Sequence, residues 1–202
     1  MASKTALAAV NAKNHNQTAL LIVDMLRDFT NPEGLVYYPQ NREVLPRIAE
    51  VLKKFHDSKR LVIFLRHFTR ANKPDAKSSS MRPNSIEGSW GDEIDGMLRV
   101  DPECDYIINK RRYSGFFGTD LDLVLREHGI KNLVIVGTKT NCCIRATVTD
   151  AFNLNYEPIV VRECVATNSQ IVNEVNLQDI DKYLGSVITQ EELFEKLERG
   201  EL

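Results

Sequence analysis

The chain has 202 residues, about the length of a single domain, and its 43% hydrophobic and 27% charged composition is that of a globular protein with a core of its own. Twenty-six basic residues against 28 acidic ones leave a net charge of −2, which excludes the basic footprint of a nucleic-acid binder and any acidic tail. The longest apolar runs, at 19–23 and 133–136, are far shorter than a membrane span, so no membrane partner is expected.

Residues 1–17 are small and polar and read as a flexible N-terminal tail ahead of one domain over 18–202. The tail holds no apolar block of the length a signal peptide needs. The four cysteines, two of them adjacent at Cys142 and Cys143, make a poor disulfide framework. Both features point to the cytoplasm.

The organisation then alternates. Residues 18–24 (TALLIVD) form a short Leu/Ile/Val run ending in a carboxylate, the pattern of a strand buried on both faces. Over 41–58, Val44, Leu45, Ile48, Val51, Leu52 and Phe55 recur at helical spacing on one face. Residues 60–66 (RLVIFLR) read as a second buried strand. The polar stretch 71–88 reads as a long loop, of a kind that is often functional. A short strand is expected at 106–109 and a helix at 120–128, stopped by Gly129. The clearest central strand is 132–137 (NLVIVG). A helix over 141–155, strands at 158–161 and 185–189, and a helix at 190–198 complete the chain. Strands separated by helices imply right-handed crossovers and a three-layer α-β-α sandwich around a mostly parallel sheet.

In such sheets ligands bind beyond the carboxyl ends of the strands. The residues that fall there are Asp24, the segment 66–70, Lys110 and the segment 138–143. Cys143 would open a helix, where free N–H groups and the helix dipole lower a thiol pKa and make thiolate available near neutral pH. Asp24 could take the thiol proton and return it to a leaving amine, and Lys110 could hold the charges. Each has a plainer interpretation: a small buried hydrophobe, a turn former, a solvated basic run continuing into Arg111 and Arg112. Spacing alone does not join the three.

Three blocks do. Residues 19–29 (ALLIVDMLRDF), 110–121 (KRRYSGFFGTDL) and 137–147 (GTKTNCCIRAT) resemble the isochorismatase-like cysteine hydrolases, which include nicotinamidase and N-carbamoylsarcosine amidase. The blocks look like that family's strand with D-x-x-x-D-F, its K-x-x-x-S-[AG]-F-x-x-T-x-L segment and its G-x-x-T-x-x-C-[VI]-x-x-T segment, in family order, within a resemblance over about 18–195. The resemblance implies a Cys143–Asp24–Lys110 triad, with Cys142 at a variable position. It also implies a cis peptide between Thr138 and Lys139, and an oxyanion hole from the backbone N–H groups of Lys139 and Cys143. The implied activity is hydrolysis of a small amide, carbamoyl or ureido compound through a thioester, by a homo-oligomeric enzyme.

The pattern departs from family nicotinamidases, which commonly hold a metal through an Asp and two His beginning with D-x-H. No D-x-H occurs here, and of the four histidines (His15, His56, His67, His128) only His67 follows a strand near the site. One imidazole cannot build that centre, so neither a catalytic metal nor another cofactor is expected. The cysteine speaks against the vinyl-ether cleavage of true isochorismatases, which typically lack it. A nicotinamidase-like deamidase and a silent, binding-only family member are the alternatives. For substrate contacts the candidates are His67 and Arg70 after the second strand, Arg111 or Arg112 toward a carboxylate, and an aromatic wall of Phe29, Trp90, Tyr113 and Phe116. Glu163, Cys104 and Cys164 read as structural or unreactive.

Overall fold

The computed structural model describes residues 17–73 and 83–202; the expected tail, with His15, and the middle of the 71–88 loop lie outside them. Six strands pair in the order β3-β2-β1-β4-β5-β6, every pair parallel. They are β1 (Thr18–Val23), β2 (Val62–His67), β3 (Tyr106–Lys110), β4 (Asn132–Thr138), β5 (Glu157–Ala166) and β6 (Ser186–Ile188). The helices are α1 (Pro39–Asp57), α2 (Leu121–Glu127), α3 (Arg145–Asn153), α4 (Gln170–Tyr183) and α5 (Gln190–Arg199), with a single helical turn at Arg27–Thr30.

Period-two alternation in the central strands makes the three layers. Leu20, Ile22, Val62, Phe64, Val134 and Val136 face one side, where Leu45, Ile48, Val51, Phe55, Leu193 and Leu197 of α1 and α5 cover them. Leu21, Val23, Ile63, Leu65, Leu133 and Ile135 face the other, against Leu121, Leu125, Val148, Ala151, Leu177 and Ile180 of α2, α3 and α4. This explains why β1 is buried at every position and reads as a continuous apolar run rather than an alternating one.

Helix α4 had no counterpart in the sequence pattern. Only Leu177 and Ile180 of it are buried, while Ile171 and Val175 point to solvent, so its apolar residues mark no single face. Strand β5 runs on to Ala166, past the expected 158–161, because the exposed pair Arg162 and Glu163 breaks the apolar run without ending the strand; the register against β4 shifts between Ile135 and Gly137. Glu163 is structural, as expected: its Oε2 accepts from the Gln190 N–H at 3.0 Å and anchors the start of α5. α2 ends at Glu127, and Gly129 follows with φ +65, the left-handed stop that the glycine suits.

The strand order reverses between β1 and β4, whose connections leave toward opposite edges of the sheet. A crevice therefore opens beyond the carboxyl ends of these two strands. β1 runs into Asp24 and β4 into the segment bearing Lys139 and Cys143. The close approach of the two strands depends on Gly137, which lies opposite Val23 with φ +117; a Cβ there would stand 2.1 Å from the Val23 carbonyl oxygen.

Candidate active site

Asp24 follows β1 in a left-handed conformation, φ 55, one of the few that a non-glycine residue such as Asp tolerates. Its side chain is fully buried, with each carboxylate oxygen taken by a donor. The His67 backbone N–H donates to Oδ1 at 2.7 Å and the Lys110 ammonium donates to Oδ2 at 2.7 Å. Lys110, at the end of β3 and also fully buried, donates further to the Arg112 carbonyl at 3.3 Å. The Cys143 thiol lies within hydrogen-bond reach of both the Asp24 carboxylate and the Lys110 ammonium. Three residues from three distant segments thus converge at the floor of the crevice, on the sheet end where β1, β3 and β4 all finish.

Cys143 sits in a π-helical turn, Thr140–Ile144, that leads into α3. The expected acidic thiol is not what this environment provides. Burial pushes the thiol well above its ordinary range, the Asp24 charge pushes it further, and Lys110 only partly opposes them. These effects favour the thiol over the thiolate. For Lys110, burial is the largest single effect and works against the charged form, but the charge of Asp24, the Cys143 sulfur and the hydrogen bonds to both together outweigh it and hold the ammonium above its usual value. The peptide between Thr138 and Lys139 is cis.

The blocks that carry the family resemblance have structural work in common. Thr147 Oγ1 of the third accepts from the Gly115 N–H of the second at 3.0 Å, and Thr119 Oγ1 donates to the Gly115 carbonyl at 2.5 Å. A side chain at Gly115 would meet Leu65 at 2.4 Å. In the first block, Asp28 is buried and accepts from Leu35 N–H at 3.1 Å and Ser85 N–H at 2.7 Å, tying the segment after β1 to two loops that flank the crevice.

Above Asp24, Lys110 and Cys143 lies a cleft of about 370 Å³, a volume suited to a small molecule. Of the expected contacts, Phe29, His67 and Tyr113 line it, the first two with rings edge to face at 6.5 Å. Three others lie elsewhere. Arg70 is exposed beyond the end of β2. The Trp90 ring is 42% exposed and stacks under Arg27 at 5.5 Å. Phe116 stacks on Tyr156, 5.7 Å between centroids. Arg111 and Arg112 do not line the cleft either. In their place stand Tyr38, Asn84, Asn168 and the side of Cys142, together with Lys139. The Tyr38 hydroxyl shares a hydrogen bond with Thr138 Oγ1, and burial holds the phenol neutral. Its place in a Val-Tyr-Tyr run after β1 was the available signal.

Among the described residues the donor set lacks the two imidazoles expected of a metal centre. His67 is the one imidazole on the cleft, and both Asp24 oxygens are committed. No group of three His, Cys, Asp or Glu among the described residues is arranged to hold an ion. His56 and His128 are at the far end of the sheet, against Asp105 and Tyr106. Cys164 is buried, its thiol pushed up to about 12 chiefly by burial, and stands apart from the cleft. No helix among the described residues is long and apolar enough to cross a membrane.

Comparison with known proteins places the chain in a family and a fold. The family model described as the isochorismatase domain matches residues 18–192. A maleamate amidohydrolase from Pseudomonas putida is 29% identical over 187 residues, covering 89% of this chain and 86% of that protein. A protein from Arabidopsis thaliana described as a probable inactive nicotinamidase is 30% identical over 178 residues, 84% of this chain and 90% of its own. Among solved structures, a cysteine hydrolase from Pseudomonas syringae pv. phaseolicola superposes with a TM-score of 0.86 at 27% identity, covering 93% of this chain and 95% of that one.

Proposed function

The chain belongs to the isochorismatase family, and from that premise we propose that it is a metal-independent cysteine hydrolase cleaving the C–N bond of a small amide, carbamoyl or ureido compound. The observation that carries this is the mutual contact of a buried thiol, carboxylate and ammonium beneath a small cleft at the reversal of strand order. Amidohydrolase relatives support the reaction class, among them the one acting on maleamate.

In the proposed mechanism Asp24 takes the thiol proton as Cys143 sulfur attacks the carbonyl carbon. This suits a nucleophile that is neutral at rest and has its base in contact. The C–S bond forms and the carbonyl π pair moves to oxygen, toward the backbone N–H groups of Lys139 and Cys143. One such donor is worth about 3 kcal/mol of barrier. The intermediate collapses as the C–N bond breaks, and Asp24 returns the proton to the departing nitrogen. Water, deprotonated by the same carboxylate, then adds to the thioester and releases the acid and the thiol. Lys110 supplies countercharge to Asp24 throughout.

The test is ammonia release by chelator-treated protein from nicotinamide, N-carbamoyl amino acids, ureidoacrylate-like acids, biuret and maleamate. Release should persist with EDTA and vanish in Cys143→Ala. Release that requires an added divalent ion overturns metal independence. Release surviving in Cys143→Ala overturns the thiol. No release from any compound favours the silent, binding-only alternative; one relative, from Arabidopsis, is itself described as a probable inactive nicotinamidase.

A further inference from the structure

Resting on the reading of the cleft as a C–N hydrolase site, we infer that the Lys139 side chain selects substrates bearing a carboxylate a few bonds from the scissile carbonyl. The site is then specific for small acid amides or ureido acids over neutral amides.

The argument is one of charge and reach. Lys139 lines the cleft, and its Nζ lies 5.5 Å from the centroid of the Tyr38 ring, another lining residue. None of the ion pairs among the described residues involves Lys139. Among the described lining residues there is no Asp or Glu, and Lys139 is the one Lys or Arg. The charge of Asp24 beneath is matched by Lys110. The cleft therefore presents a net positive charge to whatever enters it. The phenol ring does not neutralise that charge, since its hydroxyl is engaged with Thr138 and held protonated. The ammonium also acts on Cys142 across the same wall, where it opposes the upward push that burial gives that thiol. Because the proposed oxyanion donor and the ammonium belong to one residue, their separation cannot exceed one lysine side chain. A carboxylate on Lys139 would leave an amide carbonyl of the same short molecule at the oxyanion position. A neutral amide of that size would leave the ammonium without a partner.

Calorimetric binding to the Cys143→Ala protein tests this without relying on turnover, using maleamate against its uncharged diamide and N-carbamoylglycine against its amide. The acid of each pair should bind at least about tenfold more tightly. That preference should disappear in Cys143→Ala/Lys139→Met and persist in Cys143→Ala/Lys139→Arg. Lys139→Gln serves the same purpose should the Met variant fold poorly. Equal binding of acid and neutral partner, a preference that survives loss of the ammonium, or binding of neither at millimolar concentration would each overturn the inference. Acid-selective binding by a protein whose wild type releases no ammonia would sink the hydrolase reading and leave this one standing.

Discussion

Lys110→Met should abolish turnover and also destabilise the fold, by about 3–5 kcal/mol, because it leaves the Asp24 carboxylate buried without its cation. For a chain of this length that is a fall in Tm of about 10 °C. Deprived of Lys110, the buried carboxylate loses the cation that matches its charge and fixes its Oδ2 beside the thiol, so kcat should drop by about 10³ or more. The double variant Asp24→Asn/Lys110→Met separates the two roles. Asn keeps the left-handed backbone that position 24 requires, and a neutral pair carries no unmatched charge. Much of the lost stability should return in thermal unfolding while activity stays absent. Recovery of activity together with stability would show that the ion pair serves the fold alone.

Gly137→Ala should be the most damaging single methyl in the chain. Its Cβ would stand 2.1 Å from Val23 O and 2.8 Å from Val23 N, both backbone atoms of the central strand, at a φ of +117. Neither strand can retreat without opening the β1–β4 contact that forms the crevice. The expected loss exceeds about 4 kcal/mol, among the largest for a point substitution. Gly118→Ala is the control: its φ is +67, but nothing lies within 4 Å of the added carbon, so only the left-handed penalty of about 1–2 kcal/mol applies. Thermal unfolding and soluble yield of the two variants compare clash with conformation. Equal, mild effects would contradict the packing assigned to Gly137.

The strands β1, β2 and β4 were legible because burial on both faces writes them as unbroken apolar runs, and α1 because its apolar residues keep one face. α4 was not, because solvent and core share its Ile and Val residues. The convergence of Asp24, Lys110 and Cys143 came from motif blocks; spacing along the chain says nothing of the three-dimensional approach that strand order imposes. The thiol environment ran opposite to expectation because burial and a neighbouring carboxylate, neither visible in a linear sequence, outweigh a helix terminus. The aromatic wall was half right for a related reason. Phe29 and Tyr113 stand on segments that end at the cleft, whereas Phe116 stacks on Tyr156 and Trp90 lies under Arg27. The Tyr38 and Lys139 side chains depend on loop paths that only the folded chain defines.

In the proposed mechanism Cys143 carries the acyl group. The most direct measurement is turnover of the best amide substrate in the presence of hydroxylamine, with acid-quenched protein analysed by mass spectrometry. A thioester intermediate predicts partitioning to the hydroxamate at the expense of the acid, and any trapped acyl mass confined to the peptide bearing Cys143. Turnover that yields acid alone at every hydroxylamine concentration, or an acyl mass on another residue, would contradict it.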